Sequence, residues 1–115
     1  MSNFDNLNIK TALDGFKKKK FTSKELTNFF LHKMGELKHL NCFITETPEL
    51  AIEMASRSDR NISNSNLRKM EGIPIAMKDL FCTKSVRTTA GSKILENFIP
   101  FYESTVSKNL WDNGS

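Results

Sequence analysis

The sequence predicts an α/β fold, on three observations. Apolar residues recur at helical spacing through the first 60 positions, with cap residues where those helices would begin. Residues Ile73 to Met77 form an uninterrupted apolar run, opened by Gly72 and closed by Lys78 and Asp79, which suits a strand buried on both faces. Pro74 stands near its start, where a strand tolerates proline. Two further helix starts follow, at Ser92 and Ser104, so the strand is expected between helical segments.

Taken in order, Ile9, Ala12, Leu13 and Phe16 give a short amphipathic helix from about Asp5 to Phe16, weakened near its end by Gly15. Lys17 to Lys20 then put positive charge at the helix C-terminus, where the dipole favours it. Thr22 and Glu25 have capping-box spacing for a second helix. Its apolar stripe is Leu26, Phe29, Phe30, Leu37 and Leu40. Asn41 to Thr45 suggests a short strand. Thr47, Pro48 and Glu49 open a third helix, whose Leu50, Ala51, Met54 and Ala55 face inward and which fades near Ser58. The stretch from Arg57 to Asn66 is polar and rich in Ser and Asn, a surface loop. Beyond the apolar run, Leu80 to Cys82 leads into a charged turn, then into the small residues Thr88 to Ser92. Ser92 caps a short helix through Asn97, and Phe98 to Tyr102 makes an aromatic corner. Ser104 caps a last helix carrying Val106, Leu110 and Trp111, and Asp112-Asn113-Gly114 stops it.

With 115 residues, 38% hydrophobic and 26% charged, the composition is globular and of one-domain length. The organisation expected is one unit over 1–115: helical to about 60, a strand-and-loop block at 72–92, and a helical end at 93–112. The net charge of +4 arises in the first 40 residues, which hold 8 Lys and 4 acidic residues. No aromatic residue interleaves Lys17 to Lys20, so a solvated helix end fits better than a nucleic-acid platform. Cys42 and Cys82 make no CxxC pair, and His32 and His39 stand seven apart, off the spacing of metal ligands, so neither a zinc site nor a disulfide is expected. The first residues lack the apolar core of a signal peptide, and no run reaches bilayer length; a cytoplasmic protein is the expectation.

Lys78 is the residue with chemistry open to it. A lysine amine, ordinarily protonated with a pKa of about 10.4, becomes a general base toward a serine hydroxyl only if burial disfavours its charge. The end of a buried strand beside a pocket of hydroxyls could provide that burial; solvation, or pairing with Asp79, is the alternative reading of the same residues. Ser92 follows a glycine but lacks a nucleophile-elbow pattern.

The stretch GIPIAMKDLFCTKSVRTTAGSKILENFIPFYESTVSK, Gly72 to Lys108, resembles the amidase signature family. GIPIAMKD is similar to its first catalytic block. Phe81 to Lys84, Arg87 to Lys93 and Leu95 to Phe98 resemble, within the family, the glutamine-hydrolysing subunits of tRNA-dependent amidotransferases. Arg68-Lys69-Met70-Glu71 departs from the glycine and proline that members often carry ahead of the block. The resemblance implies helices packed on a mixed sheet, of which this chain would be an N-terminal portion, incomplete by itself. It implies that Lys78 is the lysine of a serine, cis-serine, lysine triad whose two serines lie beyond Ser115, that Thr88 to Ser92 lies near the site, and that Ser92 is not a nucleophile. It implies no cofactor in this subunit, with ATP and Mg at a partner. The partners implied are subunits B and C, glutamine, and a mischarged Glu-tRNA(Gln) to be converted to Gln-tRNA(Gln). By itself the chain is expected to be inactive and marginally stable. Two alternatives stay open: another amidase signature hydrolase acting on small amides, and a non-catalytic interaction module using the basic N-terminal helices.

Overall fold

A computed structural model describes residues 4–115; the first three residues of the predicted polar N-terminus lie outside them. The elements are α1 (Ile9–Lys17), α2 (Ser23–Glu36), a 3-10 turn (Lys38–Leu40), α3 (Pro48–Ser63), a second 3-10 turn (Lys93–Leu95) and α4 (Thr105–Asp112). Asn8 caps α1 reciprocally with Thr11, and Thr22 caps α2 reciprocally with Glu25, the latter as its spacing predicts. Ser104 caps α4 through the Ser107 amide at 3.1 Å. α2 packs against α3.

Three helices depart from the sequence reading. The first opens at Ile9, with Asn8 as its cap, and not near Asp5. The second stops at Glu36, and Leu37 and Leu40 of its expected stripe are exposed. The third runs on to Ser63, through most of the polar stretch expected to be loop. The reason lies in distant partners. Asp59 on α3 receives the amides of Ser23 at 2.7 Å and Lys24 at 3.1 Å, satisfying free donors at the start of α2. Asn61 bonds to Glu71, and Ile62 packs on the core.

The core is small and aromatic. Phe4, Ala12, Phe16, Leu26 and Ile73 are buried together, with Leu7, Leu13, Phe21, Phe29, Ile62 and Met70 against them. The ring of Phe4 lies 4.8 Å from that of Phe21 and 5.3 Å, edge-on, from that of Phe29. Gly15 is needed here, since a Cβ would come within 2.4 Å of the Phe21 ring. Burying side chains such as Phe16 and Leu26 stabilises the fold by about 1.5–3 kcal/mol each.

The mixed sheet is not formed: among the described residues there is no strand, at 73–77 or at 41–45. A strand needs a neighbour to receive its amides and carbonyls, and the amides of Ile75 to Lys78 donate to no described backbone carbonyl. Asn41 takes a left-handed conformation that closes the first 3-10 turn, in place of a strand start. Ile73 plugs the helical core, while Ile75, Ala76 and Leu80 are exposed.

What fixes the start of the run is Gly72. Its φ is +77°, and its carbonyl receives the buried Ser23 hydroxyl at 2.8 Å. A Cβ there would come within 2.9 Å of both Cβ and Oγ of Ser23. Gly72→Ala should therefore cost about 1–3 kcal/mol through backbone strain and the displaced serine. A urea titration is expected to show a lower midpoint with an unchanged slope; an unchanged midpoint would show that the contact is dispensable.

Candidate functional site

Lys78 lies where the apolar run ends, and a turn begins on it, with the Phe81 amide donating to the Lys78 carbonyl at 3.0 Å. Its side chain is exposed and makes no hydrogen bond or ion pair among the described residues. The buried setting expected for it is thus absent here, because a run without flanking strands has nothing to cover it. Pairing with Asp79, the competing expectation, is absent as well.

Asp79 is engaged elsewhere. Its carboxylate accepts the Thr89 amide at 2.8 Å, a short bond from the Thr89 hydroxyl, and the Gly91 amide at 3.3 Å. Its carbonyl accepts the Ala90 amide at 2.9 Å. Ala90 and Gly91 both have positive φ, 50° and 68°, the conformation that turns successive amides toward one carboxylate. Burial pushes the Asp79 carboxyl up, but the Thr89 hydroxyl, the Thr89 and Gly91 amides and the Arg87 charge outweigh it and hold it below the ordinary range.

The loop so gathered is tied further. Thr88 and Thr89 are buried, and the Thr88 amide donates to Phe98 at 3.0 Å. Arg87 reaches the Thr45 hydroxyl at 3.1 Å, the Ile44 carbonyl at 3.0 Å and the Glu96 carbonyl at 3.2 Å, joining the segment before α3 to the loop. The structure therefore brings part of the Thr88–Ser92 stretch against the residue next to Lys78. The Ser92 hydroxyl caps the second 3-10 turn by accepting the Ile94 amide at 3.3 Å.

On the other side of the run sits Glu71, with a side chain 0% exposed. Arg68 grips it from two nitrogens, Nε to Oε2 at 2.6 Å and Nη2 to Oε1 at 2.9 Å, and Asn61 donates at 3.1 Å. Arg68 also reaches the Trp111 carbonyl at 3.0 Å. The Met70 and Gly72 amides bond to the carbonyls of Asn113 and Gly114, each at 2.8 Å. Burial raises the Glu71 carboxyl, yet the bonds from Arg68, Ser58 and Asn61 and the Arg68 charge hold it low. The same pairing raises Arg68. The sequence reading weighed Asp79 only as a partner for Lys78 and gave Glu71 no structural role; the one hint of the buried pair was the three-residue spacing of Arg68 and Glu71.

An open, shallow surface groove lies between α2 and α3 and is lined by Asn28, Leu31, Pro48, Glu49, Ile52 and Glu53. Neither Lys78 nor Asp79 borders it; the candidate site is the anchored turn itself. Among the described residues no three of His, Cys, Asp and Glu gather as metal ligands would, and no helix is long and apolar enough to cross a membrane.

Comparison with known proteins places these features in company. The profile of the family described as Amidase matches residues 25–115. The chain is 50% identical, over all 115 residues, to a protein of Hyphomonas neptunium named as the A subunit of glutamyl-tRNA(Gln) amidotransferase, and covers 24% of it. Proteins of the same name from Xanthobacter autotrophicus and a Caulobacter species are 47% and 50% identical over the same span, with 23% and 24% of their length covered. The chain thus spans about a quarter of the length of these relatives. Among solved structures, one from a vestigial protein complex tied to the origins of an s-triazine catabolic enzyme superposes with a TM-score of 0.87 at 24% identity, over 94% of this chain and 24% of that one.

Proposed function

The chain belongs to the amidase family, and from that premise we propose that it is the N-terminal part of the glutamine-hydrolysing subunit of a tRNA-dependent amidotransferase. The observation that carries this reading is the identity of about half of all 115 residues to proteins named as the A subunit of glutamyl-tRNA(Gln) amidotransferase. In this reading Lys78 is the base, and the two serines come from the protein beyond this chain. Lys78 takes a proton relayed through one serine, the other serine oxygen bonds to the side-chain carbonyl carbon of glutamine, and the C–N bond breaks. Lys78 returns the proton to the departing nitrogen, which leaves as ammonia, and water then frees glutamate from the serine ester. The ammonia serves a partner that uses ATP and Mg to amidate Glu-tRNA(Gln); subunits B and C complete a cytoplasmic heterotrimer.

An ammonium gives up its proton readily only when removed from water. Lys78 is bare in this chain, so the reading assigns its cover, and the sheet partners of residues 73–77, to the remaining length of the protein. The test is ammonia release from glutamine by the full-length protein, with and without subunits B and C. Release that rises when those partners are added, and none from the 115-residue chain alone, is the expected result. Equal hydrolysis of simple amides without any partner would point to a small-amide hydrolase, and no hydrolysis at all to an interaction module.

A further inference from the structure

We infer that Asp79 and Thr89 are positioning residues for Lys78: together they fix the backbone from which the amine projects, and they keep Asp79 from pairing with it. The inference rests on the reading of Lys78 as a base. A carboxylate adjacent in sequence to a lysine is a ready counter-ion, and a paired ammonium is held protonated. Here that carboxylate is occupied by the Thr89 amide, the Thr89 hydroxyl and the Gly91 amide.

The same bonds fix the turn. The Asp79 side chain and carbonyl together receive three successive residues, Thr89, Ala90 and Gly91, while the Phe81 amide closes back on the Lys78 carbonyl. Thr89 is buried at 4% exposure, so its hydroxyl has a single well-defined neighbourhood. Lys78 thus has a rigid root and a free end. Such an arrangement suits a proton carrier that must be delivered to one place, where about 1 Å of error can lower a rate about 100-fold. Ala90 holds a left-handed φ with a side chain that disfavours it, and the carboxylate is what its neighbours' amides converge on.

The experiment compares Asp79→Ala, Asp79→Asn, Thr89→Val and the double variant Asp79→Ala/Thr89→Val in the full-length protein, with Lys78→Ala as reference. Asp79→Ala is expected to lower kcat for glutamine roughly 10- to 100-fold with KM nearly unchanged. Thr89→Val should give a smaller loss in kcat. Asp79→Asn, which keeps an oxygen for the two amides, should recover part of it, and the double variant should be no worse than Asp79→Ala. Hydrogen exchange provides a readout free of activity: the amides of Phe81 and Ala90 should exchange about tenfold faster in Asp79→Ala than in the parent, with the amides of α2 unchanged. Wild-type kcat in Asp79→Ala and Thr89→Val beside an inactive Lys78→Ala would overturn the inference, as would a loss confined to KM. Should Lys78→Ala keep its activity, the functional reading falls instead, and unchanged exchange at Phe81 and Ala90 would overturn the anchoring by itself.

Discussion

Replacing Lys78 with alanine in the full-length protein is expected to abolish ammonia release from glutamine while leaving the protein folded and assembled. Removing a positioned acid–base group costs roughly 100- to 10,000-fold in rate. Lys78 is the one lysine of the turn at 78–81. Folding of this portion should be spared because the Lys78 side chain makes no hydrogen bond or ion pair among the described residues, so that its loss strips none of them of a partner. Lys78→Arg should fail as well, since a guanidinium does not deprotonate near neutral pH. Measurement of kcat beside a thermal melt separates the two effects. Hydrolysis retained in Lys78→Ala would remove this residue from the mechanism.

The largest effect on stability is expected at Glu71. Glu71→Ala strips partners from Arg68, Asn61 and Ser58 at once and leaves a hole beneath the start of the apolar run. Arg68 is part-exposed and keeps the Trp111 carbonyl, so the loss is that of the charge-assisted bonds to the buried carboxylate, about 2–3 kcal/mol, against a total stability of about 5–15 kcal/mol for a typical domain. Glu71→Gln, with the shape kept and the charge lost, should cost less. Acidity should have a related effect. The folded carboxyl lies below its ordinary 4.5, so the stabilisation is complete above that pH and disappears as pH falls through the folded value. Urea midpoints measured from pH 7 down to pH 3 should fall less in Glu71→Gln than in the parent. Parallel curves for the two proteins would show that the pair contributes nothing to acid sensitivity.

Features set by neighbours in sequence were legible without a structure. The capping box of Thr22 and Glu25, the caps at Ser92 and Ser104, and the stop at Asn113 and Gly114 depend on residues at most a few positions apart. The apolar run was legible as a run but not as a surface: Ile73 is buried and Ile75 exposed, a difference set by the helices packed on one and absent from the other. Polar residues 57–66 suggested loop because composition does not reveal that Asp59 caps a helix 36 residues earlier or that Asn61 serves a buried acid. At the site, the place of Lys78 came from the pattern of types around it. The engagement of Asp79 did not, because its partners lie ten to twelve positions downstream in a turn whose left-handed residues include an alanine. Arg87 was legible as part of a resemblance, and only folding shows it holding Ile44 and Thr45.

The pairing of residues 70 and 72 with residues 113 and 114 has a bearing on the order of events as the polypeptide is made. Synthesis runs from the N-terminus, so α1, α2 and α3 can collapse around Phe16 and Leu26 while the later residues are still inside the ribosome. The segment leading to Lys78 cannot settle then, because the carbonyls that receive its amides have yet to emerge. The helices come early, and the segment that leads to Lys78 finds its place only after the residues that follow α4 have been translated.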